Sequence, residues 1–327
     1  MQRPVAVVSL KDIRANLRLL ARRAGVSVIA VVKDDAYGHG AEAVAHAIAD
    51  MVAMFAVATV DEGARLVAAG VGRDVLVLTP LTSDMDALRA RAYGLVVTAA
   101  SFPSLAFCRG LRAHLAVNTG MNRYGFSPCE IASALQSAAR LEVRVEGVFS
   151  HLYEPSDSAA VKEQTRAFAA CAQQVRSAYP NAVRHLCATG GILAGGASFD
   201  AVRPGLGLYG YAPPPFTAEL SPAMRVFAQV VQNTAPYGGG AGYAAAAEKF
   251  SALHTLGAGY GHGFFRAGGM GAEGRLCMDA CVREGRLPFG TQVCVLDDAA
   301  AYAAQHGTTA YEVLVAVGKG MEKVYDG

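Results

Sequence analysis

The sequence predicts an α/β protein, with a (β/α)8 barrel followed by a smaller, mostly β domain at the C-terminal end. Over the first two thirds of the 327 residues, short β-branched apolar runs alternate with longer segments that have helical apolar spacing. The apolar runs are continuous, as expected of parallel strands buried on both faces. After Pro213-Pro214-Pro215 the pattern changes to short strands separated by glycines. A doubly wound open sheet remains the alternative, because periodicity alone does not exclude it.

Eight segments are predicted as barrel strands, each followed by a helix, and four of the helix-compatible segments are given as examples. The strands are 28–33, 54–59, 74–79, 94–98, 111–118, 144–151, 183–188 and 200–209, and the helices are 41–50, 61–69, 128–140 and 158–179. Four further strands are predicted at 224–232, 251–256, 274–278 and 292–296. The barrel is therefore expected to span residues 1–215 and the β domain residues 216–327, with an N-terminal strand as a candidate to join the β domain.

The composition excludes several classes of protein. Apolar residues make up 53% of the chain, but the longest uncharged apolar run, residues 51–60, is too short to cross a bilayer. A net charge of +2 without basic blocks gives no reason to expect nucleic acid or a membrane as partner. The seven cysteines show no CxxC spacing, so reduced thiols are expected and no metal site is predicted. The first residues do not resemble a signal peptide, and a cytoplasmic protein is expected.

Lys33 is the first candidate for chemistry. It is predicted to end the first barrel strand, after the apolar run 28–32. The carboxyl end of a barrel strand faces the active-site mouth. A partly buried amine there suits Schiff-base chemistry. The alternative is a lysine that extends its charge into solvent at a strand end.

Five motifs in order resemble those of the alanine racemase family. The first resembles the attachment site for pyridoxal 5'-phosphate (PLP), and the likeness continues along nearly the whole chain. The motifs are Val31-Val32-Lys33 with Ala36-Tyr37-Gly38-His39-Gly40, Thr119-Gly120-Met121-Asn122-Arg123, Val202-Arg203-Pro204-Gly205, Gly259-Tyr260, and Gly274-Arg275-Leu276-Cys277-Met278-Asp279. The resemblance implies a PLP-dependent enzyme that racemises a small amino acid, with alanine expected first.

The resemblance also implies the catalytic residues. Lys33 and Tyr260 would be the two bases, since racemisation removes a proton from one face of the α-carbon and delivers one to the other. A free tyrosine has a pKa near 10 and needs cationic help to act as a base at neutral pH. By resemblance, His151 and Arg203 are its hydrogen-bonded neighbours.

The cofactor-binding residues follow from the same resemblance. Arg203 would face the pyridine nitrogen of PLP and leave it unprotonated, which weakens the ring as an electron sink and limits side reactions. The phosphate would lie among late barrel loops, where exposed amides suit a dianion. The residues expected around it are Tyr37, Thr189, Gly205 and Leu206.

Substrate binding is implied for three residues. Arg123 would contact the phenolic oxygen of PLP and the substrate carboxylate, the backbone amide at Met278 would meet the same carboxylate, and Asp279 lies nearby. By family architecture, Tyr260 and Met278 serve the barrel of a partner subunit. A homodimer with shared sites is therefore expected.

Some positions depart from the family pattern. Ala116 stands where the family commonly carries a carbamylated lysine that orients the arginine corresponding to Arg123, and Asn118 replaces an aspartate. His262 and Lys319 also replace usual residues. These changes keep open a serine or broad-spectrum racemase as the second hypothesis. A non-racemising PLP-binding protein is the third, although such a barrel needs neither Tyr260 nor a second domain.

Overall fold

A computed structural model describes residues 3–327. The chain forms two compact units. One, the barrel unit, contains Arg14–Ala36 and Ala41–Leu220, and the other, the β unit, contains the residues up to Ile13, Tyr37–Gly40 and Ser221–Gly327. The domain boundary between residues 215 and 216 stays a prediction.

Fourteen strands are formed by the described residues. They are β1 (Val5–Ser9), β2 (Ser27–Val31), β3 (Met54–Val57), β4 (Asp74–Pro80), β5 (Val96–Ala99), β6 (Arg112–Ala116), β7 (Arg144–Phe149), β8 (Val183–Ala188), β9 (Ala201–Arg203), β10 (Met224–Thr234), β11 (Leu253–Leu256), β12 (Cys281–Glu284), β13 (Gln292–Leu296) and β14 (Glu322–Asp326).

Eleven helical segments and five short 3-10 turns connect these strands within residues 3–327. The helical segments are α1 (Leu10–Ala24), α2 (Lys33–Tyr37), α3 (Ala41–Ile48), α4 (Val60–Ala68), α5 (Asp84–Ala92), α6 (Phe102–Phe107), α7 (Ile131–Arg140), α8 (Ser158–Ala178), α9 (Thr189–Leu193), α10 (Ala299–Gln305) and α11 (Ala310–Gly318). The 3-10 turns are Ala49–Met51, Pro128–Glu130, Leu206–Tyr209, Ala247–Lys249 and Tyr260–His262.

The barrel is closed and its strands follow chain order from β2 to β9. Neighbouring strands are parallel, including β2 with β9, which closes the ring. This confirms the predicted (β/α)8 barrel and excludes the open sheet. Fully buried side chains such as Phe55, Leu76 and Leu115 form part of its core.

Local sequence signals explain where the barrel helices begin. The Thr59 side chain accepts a hydrogen bond from the Glu62 amide, while the Glu62 carboxylate accepts from the Thr59 amide, which is a capping box at the start of α4. Asp157 caps α8 by accepting from the amides of Ala159 and Ala160. Each cap satisfies amides that the helix itself leaves without an acceptor.

The β unit is a sheet in the order β12-β11-β10-β1-β14, with β13 also pairing with β10. The N-terminal strand β1 joins this sheet, antiparallel to β10 and parallel to β14. No helix within residues 3–327 combines the length and apolar character that a membrane crossing requires.

Three sequence predictions are wrong in detail. Residues 274–278 form no strand; Arg275 makes only an isolated bridge with Tyr243. The last barrel strand ends at Arg203 rather than residue 209, because Pro204 has no amide hydrogen to continue the ladder. The first barrel strand ends at Val31, so Lys33 lies just beyond it.

Candidate active site

Lys33 begins a left-handed turn directly after strand β2. Asp34, Asp35 and Ala36 have φ values of 51°, 55° and 54°, and Tyr37 has 52°. This conformation costs roughly 1–2 kcal/mol per non-glycine residue, so the surrounding structure must hold it. The Lys33 side chain is half-buried, and the turn places it at the carboxyl end of the strand.

Hydrogen bonds hold this left-handed turn in place. The Asp34 amide donates to the Glu62 carboxylate at 2.6 Å, and the Asp35 carboxylate accepts from the Ala41 amide at 2.8 Å. Glu62 is the same residue that caps α4. The strained backbone after Lys33 is therefore tied to a neighbouring barrel helix.

Three other predicted residues also lie at the carboxyl ends of barrel strands. His151 follows β7, Thr189 follows β8, and Arg203 is the last residue of β9. The charges of Arg203, Arg123 and Lys33 all act on His151. The structure thus brings four predicted site residues, Lys33, Arg123, His151 and Arg203, into one electrostatic neighbourhood at the barrel mouth.

The Thr189 hydroxyl joins the two loops that were predicted to hold phosphate. Its Oγ1 accepts hydrogen bonds from the amides of Gly205 at 3.2 Å and Gly207 at 3.1 Å. A methyl group on Gly207 would lie 2.8 Å from the Thr189 side chain, so only glycine allows this approach. The Gly205 amide already donates to Thr189 and is not available to a ligand. Two other donors are available to an anion: the hydroxyl hydrogen of Thr189, and the Leu206 amide at the start of its 3-10 turn.

Arg203 is 4% exposed and uses four of its five N–H donors within the barrel. Nη1 donates to Nδ1 of His185 at 2.7 Å and to the His185 carbonyl at 2.8 Å. Nη2 donates to the carbonyls of Ser150 at 2.5 Å and Leu186 at 3.1 Å. The remaining donor, Nε–H, has no acceptor among residues 3–327, which fits a ring nitrogen that accepts a hydrogen bond.

A second histidine extends this arrangement into the barrel. His185 Nε2 lies 2.8 Å from Nδ1 of His114, and both rings are buried. Sequence reasoning missed both histidines, because each lies inside a strand where a buried histidine is ordinary. The His185 ring stacks on Phe149, over which the Arg203 guanidinium also lies.

The charge state of His151 differs from the sequence expectation. Burial lowers its pKa to about 3, with the positive charges of Arg203, Arg123 and Lys33 acting in the same direction. The ring is therefore neutral at pH 7 and offers a hydrogen bond but no cationic help. Burial and the charge of Arg123 also lower the pKa of Arg203, but only to about 10, so Arg203 remains the buried cation.

Arg123 lacks the support that a carbamylated lysine would provide. Ala116 is buried, and the Asn118 carbonyl accepts from the amides of Gly120 and Asn122 at 3.0 Å each. Asn118 therefore stabilises the turn and does not orient the arginine. The Arg123 side chain is exposed and has no hydrogen-bond acceptor within residues 3–327; its guanidinium lies over the Tyr124 ring, 5.6 Å from the ring centre.

Tyr260 and Met278 lie together in the β unit. The Tyr260 amide donates to the Cys277 carbonyl at 3.0 Å, and the Gly261 amide donates to the Met278 carbonyl at 2.8 Å. Asp279 is next to this contact, near Gly261. The structure thus brings the predicted second base and the predicted substrate-binding loop to one place.

Tyr37, predicted at the phosphate, is buried, and its ring lies 5.8 Å from the ring of Tyr311. Close backbone packing of Gly38 against Gly318 accompanies this contact. Lys319 is the next residue in the chain after Gly318.

His262, another residue that departs from the family pattern, lies beside Tyr260. Its Nδ1 accepts a hydrogen bond from the Gly259 amide at 3.2 Å. His262 therefore stabilises the Tyr260 turn, a role that the sequence did not indicate.

Comparison with known proteins gives one family. Residues 8–213 match the model of the family described as alanine racemase, N-terminal domain. The chain belongs to the alanine racemase family. Over 99% of its length it is 32% identical to the alanine racemase of Desulfovibrio desulfuricans, covering 98% of that protein. It is 34% identical to that of Beutenbergia cavernae, over 98% of this chain and 97% of the relative.

Solved structures of alanine racemases are similar to this chain over its whole length. Alanine racemase from the D-cycloserine producing Streptomyces lavendulae is similar with a TM-score of 0.87 and 29% identity, over 100% of this chain and 98% of that one. Alanine racemase from Clostridium difficile has a TM-score of 0.88 at 23% identity, covering 100% of this chain and 96% of that one, and supports the fold. The resemblance drawn from the motifs is therefore confirmed.

Proposed function

We propose that this protein is a PLP-dependent racemase that interconverts L- and D-alanine, with Lys33 and Tyr260 as its two bases. The observation that carries the proposal is the placement of Lys33, His151, Thr189 and Arg203 at the carboxyl ends of barrel strands in a member of the alanine racemase family. Such ends form the active-site face of barrel enzymes.

The residues present fit the cofactor. Lys33 would hold PLP covalently, and the Nε–H of Arg203 would donate to the pyridine nitrogen. The hydroxyl of Thr189 and the amide of Leu206 would donate to the phosphate, together with Tyr37. Bound PLP supplies a conjugated ring that accepts electron density from the substrate α-carbon and so acidifies its C–H bond.

The two bases then act on opposite faces of the substrate. The Lys33 amine takes or returns the α-proton on one face, and the Tyr260 phenol does so on the other. Neutral His151 supplies a hydrogen bond in the barrel mouth, while the positive charge of Arg203 favours a phenolate nearby. Arg123 and the Met278 amide would hold the substrate carboxylate, next to Asp279.

The test of this function is chemical labelling combined with a racemisation assay. Purified protein should be yellow, borohydride should fix the cofactor to the peptide that contains Lys33, and L-alanine should lose its optical rotation. Lys33→Ala should abolish all three effects, whereas Lys162→Ala, at an exposed position of helix α8, should change none of them. Label on another lysine would contradict the site, and a yellow protein without racemisation would contradict the activity.

A second candidate is a racemase that also accepts serine. It is favoured by one observation, the exposed Arg123 without a hydrogen-bond acceptor in the described chain. An arginine that is not held rigidly discriminates less between substrates, because its position adjusts to each. The ratio of kcat/KM for alanine and serine distinguishes the two candidates.

We also propose a cytoplasmic homodimer that supplies D-alanine as a cell-wall precursor. In this assembly, Tyr260 and Met278 of each protomer would complete the barrel of its partner. Mixing Lys33→Ala and Tyr260→Phe chains should then restore activity, since a hybrid dimer has one intact site. Verified hybrids without activity would show that each protomer carries its own complete site.

A further inference from the structure

The buried guanidinium of Arg203 has no carboxylate partner among residues 3–327. Its four acceptors are one imidazole nitrogen and three backbone carbonyls, all of them neutral. A buried charge without a counterion is unfavourable, because removal from water is not offset by a charge of opposite sign. The barrel interior therefore favours a negative charge wherever a hydrogen-bonded path from Arg203 ends.

Such a path leads from Arg203 through two histidines, and its direction is fixed. Arginine can only donate, so Nδ1 of His185 accepts and its proton resides on Nε2. That Nε2–H donates to Nδ1 of His114, which places the His114 proton on its own Nε2. Burial lowers the pKa of His114 to about 3 and that of His185 well below its usual value, so both rings are neutral.

The path ends at a cavity on the opposite side of the barrel from Lys33. This basal cavity, of about 710 Å³, is lined by the first residues of barrel strands, including Ser27, Met54, Asp74 and Val183, and by His114. His114 is 1% exposed, and its side-chain hydrogen bond in the described chain is made by Nδ1, which leaves Nε2 without a partner there. Because Nδ1 is bonded to His185 and His114 lines the basal cavity, Nε2 is the ring nitrogen left to serve an occupant of that cavity.

The charged groups around the basal cavity balance one another. Arg112 donates to the carboxylates of Asp74 at 2.7 Å and Glu146 at 2.9 Å. Asp200 accepts from Arg176 at 3.1 Å and Arg184 at 2.8 Å. Each carboxylate of the lining therefore has a guanidinium partner, although Arg112 is the one arginine in the lining itself, and none of these carboxylates contacts Arg203.

Apolar side chains occupy much of the remaining wall. They include Ile29, Met54 and Val145. An occupant should therefore combine one anionic acceptor, for His114, with a short hydrocarbon part. A short-chain carboxylate has this chemistry.

We propose that the basal cavity is a binding site for a small carboxylate, held by the Nε2–H of His114 and paired with Arg203 through the two imidazoles. The charge-assisted bond lies at the inner end of the cavity, and the alkyl part lies against the apolar wall. This proposal goes beyond racemisation and does not depend on the assignment of Lys33 or Tyr260 as bases.

Nuclear magnetic resonance of the intact protein, with its cofactor bound and its histidines labelled with ¹⁵N, tests the site directly. Both His114 and His185 should be protonated at Nε2 alone, and titration with acetate should shift the His114 Nε2 signal in a saturable manner. Acetamide, the neutral counterpart of acetate, should bind at least about tenfold more weakly because the charge-assisted bond is lost. A proton on Nδ1 of His114, or equal binding of acetamide, would overturn the proposal.

Two variants separate the hydrogen bond from the ring. His114→Gln retains an N–H donor and should keep most of the acetate affinity, whereas His114→Phe removes the donor and should weaken binding at least about tenfold. Phenylalanine suits the space, because the His114 ring packs flat on Gly147. If His114→Phe does not fold, the comparison of acetate with acetamide and the His114→Gln variant still test the proposed carboxylate site. Acetate affinity that is unchanged in His114→Phe would show that the anion binds elsewhere.

Discussion

Gly259 is the position where a single methyl group should test the placement of Tyr260. A Cβ on Gly259 would overlap the Cys277 carbonyl oxygen and lie 2.5 Å from the carbonyl oxygen and 2.7 Å from the carbonyl carbon of Met278. Ordinary contacts of this kind begin at 3.4 Å, and all three neighbouring atoms belong to backbone. The Tyr260 turn must therefore move away from Met278 by about an ångström.

The expected cost of Gly259→Ala follows from that displacement. A shift of about 1 Å in a catalytic group lowers the rate on the order of 10²-fold. Overpacking should lower the free energy of unfolding by about 1–3 kcal/mol, which leaves the protein folded. Cofactor content should stay unchanged, because Lys33 and Arg203 belong to the barrel unit.

The assay compares kcat for racemisation, bound PLP and thermal unfolding in Gly259→Ala and in Gly320→Ala. Gly320 belongs to the same unit, has no atom within 4 Å of an added Cβ, and should tolerate the methyl group. A Gly259→Ala enzyme with kcat within about threefold of the parent would refute the reasoning, since the expected displacement should cost on the order of 10²-fold. Loss of PLP would also refute it, because it would show that the turn supports the cofactor.

Three further predictions concern the bases, the buried histidines and the arginine. Tyr260→Phe should keep PLP while slowing racemisation about 10²–10⁴-fold, and α-deuterium exchange should survive better for one enantiomer than for the other; equal, undiminished exchange would contradict the two-base assignment. Stability should fall in acid, because His114 and His151 bind a proton near pH 6.5 when unfolded but only near pH 3 when folded, so the unfolded state takes up more protons between these values. Urea unfolding at pH 7 and pH 5 should show a loss of about 2 kcal/mol for each of these histidines, and a stability that does not change with pH would show that the rings are not buried as neutral groups. Racemisation should be indifferent to the removal of dissolved carbon dioxide, since Ala116 cannot form a carbamate, whereas Ala116→Lys should acquire bicarbonate dependence. A parent enzyme that needs bicarbonate would show that a different lysine orients Arg123.

The barrel was predictable because its strands are buried on both faces. Continuous apolar runs, each followed by a helical pattern with a capping residue such as Thr59 or Asp157, leave few other arrangements. The strand ends were less predictable. Lys33 lies beyond its strand because the left-handed turn from Asp34 depends on a tertiary contact with Glu62, which periodicity does not contain.

The β unit was predicted less completely. The glycine-rich segment 274–278 resembles a strand in composition, but Gly274 has φ +87° and its backbone packs against Tyr243, so no ladder forms. The helices α10 and α11 and strand β14 were missed. Strands β14 and β1 are paired although nearly the whole length of the chain separates them in sequence. Such a distant pairing leaves no local signal in a polar segment.

The candidate site residues could be proposed from the sequence, and their charge states could not. The motifs contain Lys33 and Arg203, and Thr189 was proposed from its loop after a barrel strand; the structure has all three at carboxyl ends of barrel strands. They do not show that His151 is neutral, since its pKa depends on burial and on charges distant in sequence. The pair His114 and His185 was missed because each lies inside a strand, where a buried histidine is ordinary.

These charge states alter how a tyrosine can act as a base in this family member. The resemblance offered two cationic neighbours for Tyr260, but with His151 neutral only Arg203 keeps its charge among the two. In the proposed site the Arg203 guanidinium also keeps the ring nitrogen of PLP unprotonated. The groups that accept its hydrogen bonds are all neutral. A guanidinium that touches no carboxylate attracts a phenolate more strongly than one in a direct ion pair, because an adjacent carboxylate would offset its charge. The absence of a carboxylate partner for Arg203 in the described chain, which is costly for folding, therefore favours the ionised form of Tyr260, the proposed second base.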